Sequence, residues 1–150
     1  MLTIAGVTKF QQSTIDMLRI NKGELRRIPI LTGVQASHFK EAIAHELDDQ
    51  TQYIYTECND PDAFCMRVVG DCMETEFFEG DVVIVSHNCV VNNNDFAVFE
   101  DVETREATLK QLKIYGDKIF LKPYNPRYPE IEVSKEIRII GRVWGKTKRY

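Results

Sequence analysis

A mainly β domain with little helix is the fold class this sequence predicts, built of bent, partly closed antiparallel sheets. Three observations lead there. From Tyr53 onward the chain is a series of short runs rich in Val, Ile, Phe and Tyr: YIYTE, FCMRVV, DVVIV, DFAVFE, EATLKQLKIY, KIFLKP, EIEV and RIIGRVW. The segments between them carry turn chemistry, at Gly80-Asp81, Asn92-Asn93-Asn94, Gly116-Asp117 and Asn125-Pro126. Many short strands at close spacing favour strongly bent sheets over a helical or doubly wound architecture.

The elements follow in order. Thr8 to Ile20 places Phe10, Ile15, Met17 and Leu18 at roughly helical spacing, and Asn21-Lys22-Gly23 stops the run. A marginal helix or a linker fits; no helix-turn-helix pair fits before Pro29. The one candidate boundary lies near Lys22 to Arg27. It divides an N-terminal segment, 1–27, from a single domain, 28–150. RIPILTGVQASHF then reads as extended, and His38 to Gln50 has a helical pattern in Phe39, Ala42, Ile43 and Leu47, with a loop as the alternative. The strands above complete the chain.

At 150 residues the chain is long enough to bury a core, and 43% hydrophobic with 28% charged residues is the balance of a soluble globular protein. No run reaches the ~18–20 apolar residues of a membrane span, and no charged-then-apolar leader opens the sequence. A cytoplasmic location is expected. The net charge of −4 gives no footprint for nucleic acid; the basic end Lys146, Lys148 and Arg149 reads as a solvated tail. Cys58, Cys65, Cys72 and Cys89 form no CxxC pair, and His38, His45 and His87 are scattered. No metal, cofactor or disulfide is expected.

Cys72 then has two readings, an inert buried thiol and a nucleophile. A nucleophilic cysteine needs a base, and a lysine serves if burial leaves it neutral. EATLKQLKIY offers Lys110 between Leu109 and Leu112, with Thr108 on the same face by the two-residue period; Lys113 falls on the other face. A strand lysine is more often an exposed edge residue than a base, so both readings stay open on these residues alone.

GDCMETEFFEGDVVIV resembles the GDSM…F..GD.V.V motif of the LexA and lambda-type phage repressor family of self-cleaving proteins. ATLKQLK is similar to that family's second motif, FLKPYNPRYPEIEV to the stretch after it, and RIIGRVW to its closing strand. RIPILTGVQASHF resembles the cleavage region of phage repressors, which reads P…VQAG.F. The match runs from about Ile28 to Trp144 with four motifs in order. What the resemblance implies is a fold of the LexA C-terminal-domain type with a Ser–Lys dyad, Cys72 standing at the serine and Lys110 at the general base. It implies a cut between Ala36 and Ser37, a homodimer, and a RecA filament as co-protease. DNA would be bound only through an N-terminal domain that this chain lacks.

Cys72 for serine and Ser37 for glycine depart from the pattern and put cleavage itself in doubt; Thr32-Gly33 is the weaker alternative bond. The nucleophile motif's two usual prolines are Thr75 and Phe78 here. Gly70 is expected to permit the turn and, with Cys72, to aim backbone amides at an oxyanion; Asp71 is expected to cap the short helical turn that follows. Met73 and Phe77 read as core or substrate-pocket walls, and Cys58, Cys65 and Cys89 as inert thiols. Ile139, Ile140, Val143 and Trp144 predict an apolar C-terminal edge strand that pairs with a second copy, Trp144 at the interface. The leading reading is the C-terminal self-cleaving and dimerisation domain of a phage or SOS-type repressor. A polymerase accessory protein of the UmuD type, a signal-peptidase-like enzyme and a catalytically dead dimerisation module are the rivals.

Overall fold

The computed structural model describes residues 24–134 and 136–147. The expected helix or linker at Thr8 to Ile20, and Lys148 and Arg149 of the basic end, lie outside them. In chain order the elements are β1 (Arg26–Leu31), α1 (Gly33–Ser37), α2 (Phe39–His45), β2 (Tyr53–Thr56), β3 (Phe64–Arg67), β4 (Val82–Ser86), β5 (Phe96–Asp101), β6 (Glu106–Tyr115), β7 (Lys118–Lys122), β8 (Ile131–Glu132) and β9 (Ile137–Thr147). Each apolar run singled out in the sequence forms a strand. Together they make one mixed sheet in the order β2-β1-β3-β4-β9-β5-β6-β7-β8. All neighbours are antiparallel except β1 and β3, where Ile30 lies opposite Cys65 and Leu31 opposite Met66.

Burial follows the period of two. In β4, Val83 and Val85 enter a core with Leu31, Ala36, Phe39, Phe64, Met73, Phe77 and Leu109. Val82 and Ile84 enter another with Ile28, Cys58 and Cys65. A strand covered on both faces needs four consecutive apolar residues, and VVIV supplies them. The two short helices and the segment between β3 and β4 supply the Ala36, Phe39, Met73 and Phe77 side of the larger core.

Three expectations change here. RIPILTGVQASHF is extended only to Leu31. Thr32 then caps α1 with a reciprocal capping box, its Oγ1 accepting from Gln35 N at 3.1 Å while its own N–H donates to Gln35 Oε1 at 3.0 Å. The C-terminal strand is no edge. β9 pairs with β4 on one side and β5 on the other, with register shifts between Ile139 and Gly141 and between Val143 and Gly145. A Cβ on Gly141 would stand 2.8 Å from Ser86 O, so this close approach admits only glycine. Trp144 and Ile139 are about half exposed, at 49% and 48%, on the surface of an interior strand. Lys146 is no free end either. It pairs with Glu76 at 3.5 Å and lies 4.9 Å over the Phe77 ring.

Candidate active site

The segment linking β3 to β4 carries Cys72. Gly70 has φ +80°, a conformation glycine adopts without the Cβ penalty, and nothing else there demands glycine. Reversal after Val68 is closed by Val68 N donating to Asp81 O at 2.8 Å and Gly80 N donating to Val68 O at 2.9 Å. Asp81, 3% exposed, accepts from Phe78 N at 2.9 Å. Between these ties a helical turn forms, with Glu74 N donating to Asp71 O at 3.2 Å and Phe77 N to Met73 O at 2.9 Å.

Lys110 comes to Cys72 from β6. Its Nζ lies 3.7 Å from Cys72 Sγ and donates to Thr108 Oγ1 at 2.9 Å, the same-face neighbour that the strand period predicts. Both residues of the pair are half-buried. Lys113 turns away and donates to Asn94 Oδ1 at 2.6 Å. Cys58 and Cys65 lie inside the protein, where burial pushes their thiols up to about 11 and about 12. Cys89, expected to be inert like them, is exposed instead, with Ser86 Oγ at 3.2 Å from its sulfur.

Asp71 does not cap the turn with its side chain. Its carboxylate accepts from Tyr128 OH and, at 2.9 Å, from Arg127 Nη2. The Tyr128 hydrogen bond, aided by the Arg127 charge, holds that carboxyl below the usual aspartate range, and the same bond raises the Tyr128 phenol. A charge-assisted partner outcompetes a backbone N–H for a carboxylate in reach of both. Met73 is 2% exposed, shares the larger core with Ala36, and receives Tyr124 N at its sulfur at 3.4 Å.

Asn125, which sequence reasoning passed over, organises this turn. Its N–H donates to Cys72 O at 2.9 Å and its Nδ2 to Asp71 O at 3.0 Å. Arg127 N donates to its Oδ1 at 3.0 Å and Tyr128 N to its carbonyl at 3.1 Å. Every polar group of this buried residue is used. The Asp71–Cys72 peptide is trans and planar, so fixing Asp71 O towards Asn125 points the Cys72 N–H the opposite way. YNPRYP carried a turn signal, but nothing local says that the turn clasps residues 54 to 57 positions earlier.

Ala36 and Ser37, the expected cut, lie in α1, 0% and 4% exposed. The helix packs beside β6: a Cβ on Gly33 would stand 3.5 Å from Ala107 O, on the strand that carries Lys110. Cys72 packs against the same core that Ala36 enters. Thus the structure brings the expected cut segment, Cys72 and Lys110 to one region, but with the Ala36–Ser37 peptide bond in a helix.

The Peptidase S24-like family model matches residues 29–144, which takes in all of these residues. The chain belongs to that family. It is similar to the HTH-type transcriptional regulator for conjugative element R391 of Providencia rettgeri, 34% identical over 123 residues, 77% of this chain and 57% of that protein. It is also similar to the prophage repressor CohE of Escherichia coli K12, 31% identical over 138 residues, 87% of this chain and 61% of that one. Repressor protein C2 of Salmonella phage P22 is 31% identical over 119 residues, 75% of this chain and 55% of its own. The chain therefore spans somewhat over half the length of these relatives. No helix among the described residues is long and apolar enough to cross a membrane.

Proposed function

We propose that this chain is the C-terminal self-cleaving and dimerising part of a transcriptional repressor, which cuts its own Ala36–Ser37 bond with Cys72 as nucleophile and Lys110 as base. The single observation that carries this reading is Lys110 Nζ at 3.7 Å from Cys72 Sγ, held on its other side by Thr108 Oγ1. The neutral amine takes the thiol proton, and the thiolate attacks the Ala36 carbonyl carbon. The oxyanion is met by backbone N–H groups of the Gly70–Cys72 turn, the Cys72 N–H being aimed by Asn125 through the Asp71 carbonyl. Collapse breaks the Ala36–Ser37 bond, and the Lys110 ammonium returns its proton to the Ser37 amine. A water, deprotonated by Lys110, then hydrolyses the Ala36–Cys72 thioester and regenerates the thiol. Met73 lines the pocket for Ala36.

A homodimer is part of this reading, with the half-exposed Trp144 and Ile139 of β9 at the contact. So is a RecA filament that favours the cut-competent arrangement. DNA binding falls to a part of the repressor outside this chain, and the cytoplasm is where such a repressor works. The repressor relatives favour this reading over a UmuD-type accessory protein. A second reading, a dimerisation module that no longer cuts, is favoured by the burial of Ala36 and Ser37 in a helix.

Cutting is followed in alkaline buffer, where a general base is free to accept a proton. Gel analysis with mass spectrometry of the fragments should place the new ends at Ala36 and Ser37, and Lys110→Met should abolish the reaction. Cutting at the parental rate by Lys110→Met removes Lys110 from the mechanism. No cutting by the parent or by Cys72→Ser favours the silent module.

A further inference from the structure

Glu100 is the least explained charge in the fold. It lies in β5, an interior strand, with 1% of its surface exposed, and its Oε2 has no hydrogen-bond partner among the described residues; Arg105 Nη1 stands 3.8 Å away. A buried carboxylate is costly unless it is paired. Its pair is Arg138, directly opposite in the β5–β9 register, whose Nε donates to Glu100 Oε1 at 2.7 Å. The guanidinium does a second thing. Its Nη2 donates at 2.7 Å to Ser37 O, 101 residues earlier in the chain.

That carbonyl belongs to the last residue of α1. The final carbonyls of a helix have no partner inside it, and a cation there satisfies them and complements the helix dipole. The other ties are short-range: the Thr32–Gln35 capping box, Ala36 N on Thr32 O at 2.8 Å and Ser37 Oγ on Val34 O at 2.6 Å. A helix of five residues is marginal by itself. Among the described residues, Arg138 is the side chain of the sheet that donates to α1.

We infer that Arg138, anchored by the buried Glu100, is the positioning residue of the cut segment, and that its bond to the Ser37 carbonyl keeps residues 33–37 helical and sets how often the bond opens. The inference rests on the proposed cut at Ala36–Ser37. In a helix the turns on either side flank the Ala36 carbonyl carbon and block the approach of a nucleophile. Cutting requires unwinding, and unwinding breaks the Arg138 contact. Because α1 already lies beside β6, a local unwinding near Lys110 suffices, without the long swing of a remote loop.

The test separates Arg138's two contacts. Arg138→Lys keeps a cation for Glu100 but loses the fork that reaches both acceptors at once. Amide exchange is followed in a Cys72→Ala background, where no cutting interferes, and cutting is followed in parallel with Cys72 present. Exchange across 34–38 should rise roughly tenfold, the range of one charge-assisted hydrogen bond, while β4 and β5 stay protected. Alkaline cutting should rise by a similar factor. Unchanged exchange at 34–38 in both Arg138→Lys and Arg138→Gln overturns the assignment. So does slower cutting, because Arg138 would then belong to the cut-competent state. Faster exchange in a chain that no variant cuts upholds the Arg138 tie and sinks the self-cleavage reading instead.

Discussion

Replacing Asn125 by aspartate tests whether this residue holds the Cys72 turn. The substitution conserves shape and keeps the Oδ1 that accepts from Arg127 N. It replaces the Nδ2 donor by an oxygen facing Asp71 O at 3.0 Å. The lost hydrogen bond costs about 1 kcal/mol, and the unsatisfied, repelling pair of buried oxygens adds about 1–3 kcal/mol more. Arg127 offsets part of the new charge, and the Asp71 carboxylate beside it opposes that gain. For a domain of this size, 1 kcal/mol moves the melting point by about 2–4 °C, so a loss of about 3 kcal/mol predicts a fall of about 6–12 °C at neutral pH.

Thermal unfolding of parent and variant, compared at each pH, reads this out. The fold disfavours the new carboxylate, so its folded-state pKa is raised, and the penalty fades as pH falls through it. Once protonated, the group can donate to Asp71 O again. The gap between parent and variant should therefore narrow towards about pH 4, near the free aspartate value. Alkaline self-cleavage should fall by at least about tenfold, since small displacements of a reacting group are expensive. A melting point within 2 °C of the parent, or a gap that does not change with pH, refutes the assignment of Asn125 as the clasp of this turn.

Two further outcomes follow from the same geometry. With brief iodoacetamide treatment and peptide mapping, Cys89 and Cys72 should label first, while Cys58 and Cys65, pushed up to about 11 and about 12 by burial, should label last. Lys110→Met should slow Cys72 and leave Cys89 untouched; equal labelling of Cys58 and Cys72 contradicts the site. After cutting at Ala36–Ser37, the N-terminal fragment should remain bound, because β1 precedes the cut, pairs with β2 and β3, and buries Ile28 and Leu31. Separation of the two fragments on a native sizing column, without denaturant, would contradict this.

What the sequence made legible was local. Alternation named the strands, and the same period placed Thr108 beside Lys110. Even α1 had a local signal, since Thr32 and Gln35 stand at capping-box spacing; the proline, glycine and β-branched residues around them argued for extension and hid it. The rest lay in register and strand order, which depend on pairing between distant segments. That RIIGRVW enters between β4 and β5 rather than lying at an edge is such a fact, and Arg138 opposite Glu100 follows from it. The clasp of Asn125, Arg127 and Tyr128 on Asp71 and Cys72 is another. Burial was the subtler miss, because a short polar segment such as GVQAS gives no hint that its Ala36 is fully enclosed.

On the proposed reading, a helical cut site gives slow self-cleavage a thermodynamic form. The observed rate is the rate of the open segment multiplied by the fraction of molecules in which it is open. Unwinding α1 breaks the Arg138 bond to Ser37 O, the capping box and the Ser37 hydroxyl bond, and it exposes Ala36. Each bond is worth about 0.5–1.5 kcal/mol net, and more where a charge donates. The freed backbone regains entropy of about 1–2 kcal/mol per residue, which offsets these bonds. An opening free energy of about 3–4 kcal/mol would leave roughly one molecule in 10²–10³ open. A partner that binds only the open form can then accelerate cutting by at most that same factor, however tightly it binds. Partner and latch are thus two handles on one equilibrium, and weakening Arg138 should shrink the stimulation a partner can give by as much as it raises the unstimulated rate.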